Sequence, residues 1–156
     1  MILVLCGTQK QDFSRMIRAV EKLADEQEII VQGGHNHYSS DKVKVLGFIS
    51  NNEMDRFYDQ ADYIVTHAGA GSMIQSLKKQ KKTIAVPRLS KYGEHVNDHQ
   101  IELAKKLEDL GYLLVYHDGD NMKEVFRRLK NFKTKPYHLK GNLVELVDKT
   151  IEAYLD

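Results

Sequence analysis

Six small or polar residues near the middle of the chain have the composition of an anion-binding turn. They follow a short apolar run and read His67, Ala68, Gly69, Ala70, Gly71 and Ser72. Gly-rich backbone between a strand and a helix leaves main-chain N–H groups unpaired, and the positive end of the helix dipole points toward the ligand. This stretch therefore predicts a seat for the diphosphate of a nucleotide, with the amides of Ala70, Gly71 and Ser72 as donors.

Two further loops also begin where apolar runs end. The sequence Gly7-Thr8-Gln9-Lys10 follows the run 1–6, and a long polar loop, 87–100, follows the run 83–86. A polar loop as long as 87–100 usually has a function. Ligands of parallel sheets bind beyond the carboxyl ends of the strands. We therefore expect all three loops to line one site.

The rest of the chain alternates apolar runs with helical patterns, and no Asn-Gly hairpin signal interrupts them. Strands are predicted at 1–6, 28–32, 43–48, 63–66, 83–86 and 112–116. Helices are predicted at 13–26, 54–58, 71–79, 101–110 and 122–129. Lysines alternate with valines in 43–48, which indicates an edge strand. The predicted fold class is α/β, with a Rossmann-like, doubly wound parallel sheet.

Several short polar segments have local structural or metal-binding interpretations. Residues 51–53 and Asp98 are expected to cap helices. His35 and His37 invite a zinc site, but no Cys or carboxylate cluster completes a ligand set, so a solvated loop is favoured. The sequence Asp118-Gly119-Asp120 has the form of a carboxylate pair for a cation, yet it is better explained as a turn and helix cap.

Length and composition bound the remaining possibilities. The 156 residues fit a single domain, 1–156, in which 137–156 form a C-terminal amphipathic helix that packs on its own sheet or on another subunit. The net charge of +1 with scattered basic residues predicts no nucleic-acid binding. The single cysteine, Cys6, is expected to be buried in a reducing cytoplasm. No leader or membrane span is expected, so membrane attachment would require a partner.

Three motifs in combination resemble a known family. HAGAGS at 67–72, Val-Pro at 86–87 and NDHQ at 97–100 resemble the GT-B glycosyltransferases of the family 28 C-terminal type. Pro-Arg at 87–88 and YGEHVNDHQ at 92–100 resemble in particular the small subunits of two-component transferases that build bacterial capsule and exopolysaccharide. The motifs also resemble the small catalytic subunit of the two-component enzyme that adds N-acetylglucosamine to dolichyl diphosphate. The resemblance runs from the Gly7-Thr8 loop to about Tyr112.

This resemblance implies donor-binding roles for residues in all three loops. Gly7 and Thr8 would form a second wall near the phosphates, although an ordinary strand-to-helix turn is an equal alternative. Within the motif that contains Gly69, His67 would donate to a phosphate oxygen, or else cap its own loop. Gln75 stands where many relatives have a glutamate that accepts from the ribose hydroxyls, so a charge-assisted bond is lost here.

The loop 87–100 would hold the sugar and carry the chemistry. His99 and Gln100 match a pair that in relatives touches hydroxyls of the donor sugar. Arg88 would neutralise the leaving nucleotide. Glu94 or His95 is a candidate general base for the acceptor hydroxyl, although in full-length relatives the base comes from the acceptor-binding half.

The implied reaction is the transfer of a sugar, with inversion, from a nucleoside diphosphate sugar that is expected to be UDP-linked. The acceptor would be a lipid-diphosphate-linked glycan on the cytoplasmic face of a membrane, held by a membrane-anchored partner subunit. No metal or other cofactor is expected. The alternative is a non-catalytic nucleotide-sugar-binding or regulatory subunit. A dehydrogenase domain is disfavoured because the first loop lacks G-x-G-x-x-G.

Overall fold

A computed structural model describes residues 1–137 of the chain. The elements are β1 (Ile2–Leu5), α1 (Ser14–Glu21), β2 (Ile29–Gln32), β3 (Lys44–Leu46), α2 (Asn51–Gln60), β4 (Tyr63–Thr66), α3 (Ala70–Lys78), β5 (Lys82–Ala85), a 3-10 turn (Ser90–Tyr92), α4 (His99–Asp109), β6 (Leu114–Val115) and α5 (Met122–Lys130). Strands and helices thus alternate along most of the chain, as the apolar runs predict.

The six strands form one parallel sheet in the order β3-β2-β1-β4-β5-β6. The chain builds outward from β1 to β3 and then returns to place β4 on the other side of β1. This reversal opens a crevice beyond the carboxyl ends of β1 and β4, where doubly wound sheets bind their ligands. The predicted fold class is confirmed.

Helices cover both faces of the sheet because alternate strand residues are buried on opposite sides. Ile2, Val4, Val65 and Ile84 pack with the apolar faces of α1 and α5. On the opposite face, α2 packs on the central strands, while α3 and α4 enclose a cluster with residues of β5 and β6. β1 is buried along its whole length and β4 everywhere but at the half-buried Tyr63, which explains their largely apolar sequences.

The outer strands are shorter than the apolar runs that predict them. β3 contains only Lys44–Leu46 because it pairs on one side with β2, and its residues are exposed or half-buried, which confirms the edge position. β6 contains only Leu114–Val115, which are the residues that pair with β5. The first helix ends at Glu21 rather than at residue 26, and the chain continues in turns.

Helix caps are where local sequence misleads most. Ser50, not 51–53, caps α2, and its hydroxyl accepts from the Glu53 amide at 3.2 Å. The turn at 118–120 is confirmed, with the Asp120 carboxylate accepting the His117 amide at 2.8 Å, but Asn121 caps α5. The predicted helix 137–156 lies outside the described residues, except for Tyr137. None of the helices within residues 1–137 has the length and apolar character needed to cross a membrane.

Candidate nucleotide-binding site

Three loops meet at the carboxyl edge of the sheet because β1, β4 and β5 are neighbours. The His67 amide donates to the Leu5 carbonyl at 2.9 Å, and the Val86 amide donates to the Thr66 carbonyl at 2.7 Å. These bonds continue the sheet ladder by one residue beyond each strand. The loops that begin at residues 6, 67 and 86 are therefore fixed next to one another, as the sequence predicts.

The first turn of α3 presents unpaired backbone donors at this edge. Gly69 precedes the helix without a side-chain cap, and the Met73 amide makes the first helical bond, 3.0 Å to the Gly69 carbonyl. Within residues 1–137 the amides of Ala70, Gly71 and Ser72 donate no hydrogen bond. A Cβ added at Gly71 would meet no atom within 4 Å, so space lies open over this turn. Such a turn is arranged to receive an anion.

The backbone of Ala68 directs the chain into that turn with an unusual conformation. Its φ is +64°, in the left-handed region that residues with a Cβ rarely adopt. Side chains held there cost free energy and concentrate at functional sites. This conformation of Ala68 turns the chain so that Gly69 and the first amides of α3 follow directly after the end of β4.

His67 is buried between two glycines. The residue is 8% exposed, and a Cβ built on Gly7 or Gly69 would lie 2.7 Å or 2.3 Å from the Cε1 atom of its ring. Both positions therefore need glycine for the ring to fit. The Nε2 atom lies 3.4 Å from the Ser72 hydroxyl, while Nδ1 has no hydrogen-bond partner among residues 1–137.

Burial controls the charge of His67. Loss of hydration, with smaller effects from Arg88 and His95, lowers the pKa of His67 to about 3. The ring is therefore neutral near pH 7 and carries a single N–H. It is suited to donate one hydrogen bond to an anion but not to supply a positive charge.

The Gly7 loop contributes shape more than donors. The Gly7 amide donates to the Gln32 side-chain oxygen at 3.1 Å, and its carbonyl accepts from the Gln32 Nε2 at 3.2 Å. The expectation that the Gly7 amide faces the phosphates is therefore not favoured, because that amide is already paired. Gly7 adopts φ +77° and leaves room for the ring of His67. Thr8 is exposed at the mouth of the loop.

Arg88 lies beneath the site and is not exposed. Its Nη1 donates to the carbonyls of Gln11 and Glu94 at 2.8 and 3.0 Å, and its Nη2 donates to the Cys6 carbonyl at 2.8 Å. The guanidinium also stacks on the Phe13 ring, 4.7 Å from its centroid. This placement does not favour the expected direct contact with a leaving nucleotide. Burial lowers the pKa of the guanidinium.

Glu94 is held by Arg15, a residue that sequence reasoning missed. Arg15 Nε and Nη2 each lie 2.9 Å from one Glu94 carboxylate oxygen, and Glu94 also accepts the Leu89 amide at 3.0 Å. Both carboxylate oxygens of Glu94 are occupied by these bonds, so the geometry does not favour Glu94 as a general base for an acceptor hydroxyl. No local pattern identifies Arg15, because its partner lies 79 residues away.

His95 is also buried, and its ring has a defined orientation. Its Nδ1 accepts the Asn97 amide at 3.2 Å, so the neutral ring carries its proton on Nε2. Burial, the largest effect, lowers the pKa of His95. A ring with Nε2–H acts as a donor at that atom rather than as a base.

The start of α4 divides between buried and exposed side chains. Gln100 is buried and accepts the Arg88 amide at 3.3 Å, whereas His99 is exposed. Asp98 does not cap α4, because its carboxylate accepts from the amide and hydroxyl of Ser90, each at 3.0 Å. Those bonds lower the pKa of Asp98. The Asn97 side chain instead accepts the amide of His99, the first residue of α4, at 3.0 Å.

The other candidate positions lie apart from these contacts. Gln75 is on α3, exposed, and one turn beyond the unpaired amides. His35 and His37 are both exposed, and His35 packs edge-on against Phe48. In the part of the chain described here, no three His, Cys, Asp or Glu side chains are grouped to hold a metal ion.

The sheet order and the crevice between β1 and β4 define an α/β domain of the Rossmann type, with the unpaired first turn of α3 at the edge where such domains bind their ligands. The chain belongs to the glycosyltransferase family 28 C-terminal domain family, whose model matches residues 1–152. The resemblance in the sequence motifs is thereby confirmed.

Curated relatives carry the name UDP-N-acetylglucosamine transferase subunit ALG13. The protein from Candida glabrata is 28% identical over 120 residues, which are 76% of this chain and 57% of that protein. The protein from Debaryomyces hansenii is 30% identical over 117 residues, or 67% of this chain and 53% of that protein. The chain thus spans little more than half the length of these relatives. Neither name refers to capsule or exopolysaccharide, so the resemblance to the bacterial polysaccharide enzymes stays a prediction.

Solved structures agree with the fold. An NMR solution structure of ALG13 superposes with a TM-score of 0.61 at 20% identity, covering 99% of this chain and 96% of that one. The glycosyltransferase SnogD from Streptomyces nogalater superposes with a TM-score of 0.55 at 18% identity, covering 99% of this chain and 37% of that one. These neighbours confirm the fold of one half of a GT-B glycosyltransferase.

Proposed function

We propose that this chain is the donor-binding subunit of a glycosyltransferase that uses a UDP-linked sugar, with UDP-N-acetylglucosamine as the first donor to test. The acceptor is a lipid-diphosphate-linked glycan, held by a membrane-anchored partner subunit at the cytoplasmic face of the membrane. The anomeric carbon is inverted. Family membership and the name of the curated relatives support the choice of donor and of a heteromeric enzyme.

The unpaired amides of the first turn of α3 carry the proposal. They lie beside the buried His67, whose Nδ1 has no partner within residues 1–137. A diphosphate supplies the acceptors that these donors lack, and the helix dipole favours its negative charge. His67 would contribute one neutral N–H. Four neutral donors of this kind hold phosphates without a metal, so we expect no cofactor.

The chain contributes donor binding rather than the general base. Glu94 is occupied by Arg15, and His95 presents N–H at Nε2. His95 and the exposed His99 are therefore assigned to the sugar hydroxyls as donors. The base that deprotonates the acceptor would come from the partner, which also anchors the enzyme to the membrane. Gln75 would bind the ribose through its amide oxygen, without charge assistance.

Calorimetric titration with UDP tests the site directly. Gly71→Val should abolish UDP binding, because its side chain enters the open space over the amides, while the melting temperature stays close to that of the parent. Lys78→Val places the same side chain at an exposed position of the same helix and should bind UDP normally. EDTA should leave binding unchanged. Normal UDP affinity in Gly71→Val would remove this turn from the site.

A non-catalytic nucleotide-sugar-binding subunit is the second candidate. The placement of Glu94 and His95 favours it, because neither side chain is positioned to act as a general base. The two functions share the diphosphate seat and differ in turnover. Co-purification with the partner, followed by measurement of UDP release with and without lipid-linked acceptor, separates them. Acceptor-dependent UDP release supports the transferase. Donor binding without UDP release in the assembled complex supports the non-catalytic subunit.

A further inference from the structure

Two arginines tie the loop after β5 to the part of the chain that follows β1. Arg88 is the deeper one, and its guanidinium joins the Cys6 and Gln11 carbonyls of the first loop to the Glu94 carbonyl of the second. These contacts are shielded from water, because none of the Arg88 side chain is exposed. Arg88 is therefore a structural anchor for both loops.

Arg15 makes a second connection above the first. It reaches from α1 to the Glu94 carboxylate with two N–H groups, and its Nη2 also donates to the Pro87 carbonyl at 3.0 Å. Its guanidinium lies over the rings of Phe13 and Tyr92, 5.4 and 5.3 Å from their centroids. The Arg15 side chain is 21% exposed and that of Glu94 is 5% exposed. The pair is thus shielded from water but lies nearer the surface than Arg88.

We propose that Arg15 and Glu94 are positioning residues that fix the loop 87–98 for the sugar of the donor. Glu94 also accepts the Leu89 amide, so the pair closes the loop on itself. His95 follows directly, and its ring is oriented by the Asn97 amide. A bidentate Arg–carboxylate pair has one geometry, so it holds His95 in one place.

This inference rests on the proposed function and adds a division of labour within the site. The diphosphate seat is on the first turn of α3, and no residue of that turn hydrogen-bonds to Arg15 or Glu94 within residues 1–137. Loosening the pair should therefore affect the sugar and spare the nucleotide. A pair that only stabilised the fold would affect both ligands alike or neither.

The test compares UDP with UDP-N-acetylglucosamine by calorimetry in the full chain. Arg15→Lys keeps the charge but cannot form the two-pronged contact, and Glu94→Gln keeps an acceptor for the Leu89 amide but removes the charge. We expect each variant to bind the nucleotide sugar about tenfold more weakly and UDP within about twofold of the parent. Arg18→Lys, on an exposed turn of the same helix, is the matched control and should change neither affinity.

The outcomes separate the two proposals. Parent protein that binds neither ligand overturns the proposed function, and the positioning role with it. Parent protein that binds UDP, with variants that bind both ligands as the parent does, overturns only the positioning role. Equal losses for UDP and the nucleotide sugar in Arg15→Lys also overturn it, because they indicate a general structural effect.

Discussion

The loops 67–72 and 87–98 occupy the same edge of the sheet and have opposite hydrogen-bonding states. In the first, successive amides and one histidine nitrogen have no partner within residues 1–137. In the second, Arg88, Glu94 and Asp98 are all engaged with other groups of the protein. The first loop has unpaired donors that a ligand can bind, whereas the polar groups of the second loop are used in hydrogen bonds that stabilise the loop itself.

This difference shows why charged residue types alone do not locate a binding site. Arg88 and Glu94 carry opposite charges in the loop motif, yet both are buried and paired. The groups that remain available are backbone amides, which every sequence contains. Availability depends on where α3 starts and on the space above Gly71. The contrast can be tested by variants that affect one loop at a time.

The largest effect is expected from Arg88→Met. The substitution leaves two buried carbonyls, of Cys6 and Glu94, and the part-buried carbonyl of Gln11 without their donor, and each unpaired buried group costs about 1–3 kcal/mol. We expect the free energy of unfolding to fall by about 3 kcal/mol or more, measured by urea denaturation. Arg128→Met removes an exposed arginine and should change stability by less than about 0.5 kcal/mol. A parent-like midpoint for Arg88→Met would mean that the guanidinium does not hold the two loops.

A moderate effect is expected from Gly69→Ala. Its φ of −67° suits alanine, but the new Cβ would lie 2.3 Å from Cε1 of His67 and displace the ring. Overpacking of this kind costs about 1–3 kcal/mol, and UDP affinity should fall with it. Gly71→Ala meets no neighbour and should leave stability unchanged or raise it by at most about 1 kcal/mol. Equal stability in the two variants would contradict the packing of His67 between glycines.

The sheet and the first loop were predictable because their signals are local. Buried parallel strands need continuous apolar runs, so those runs locate the strands. Small residues between such a run and a helical pattern locate the turn that begins α3. The state of the second loop was not predictable. Arg15 pairs with Glu94, which is 79 residues away in the sequence. The Asp98 carboxylate accepts from Ser90 instead of capping α4, because the 3-10 turn brings Ser90 within hydrogen-bond distance. Such pairings depend on tertiary placement, which spacing does not reveal.

The smallest effect concerns the pH dependence that His67 gives to the first loop. Its pKa is about 3 in the folded chain and near 6.5 when solvated, so between these values the unfolded state binds a proton that the folded state excludes. Stability should therefore decrease as the pH falls below 6.5, and the lowered pKa of His95 acts in the same direction.

His67→Gln isolates this contribution. Between pH 6 and pH 5 the variant should lose stability less steeply than the parent, by about 1 kcal/mol per pH unit, whatever its stability at pH 8. Urea denaturation at four pH values measures the slope, and the window lies above the range in which Asp98, whose pKa is lowered, becomes protonated. His37→Gln makes the same substitution at an exposed histidine and is the matched control. Identical slopes in the His67 variant and the parent would show that the ring is hydrated in the folded chain, and the first loop would then lose its buried, unpartnered donor.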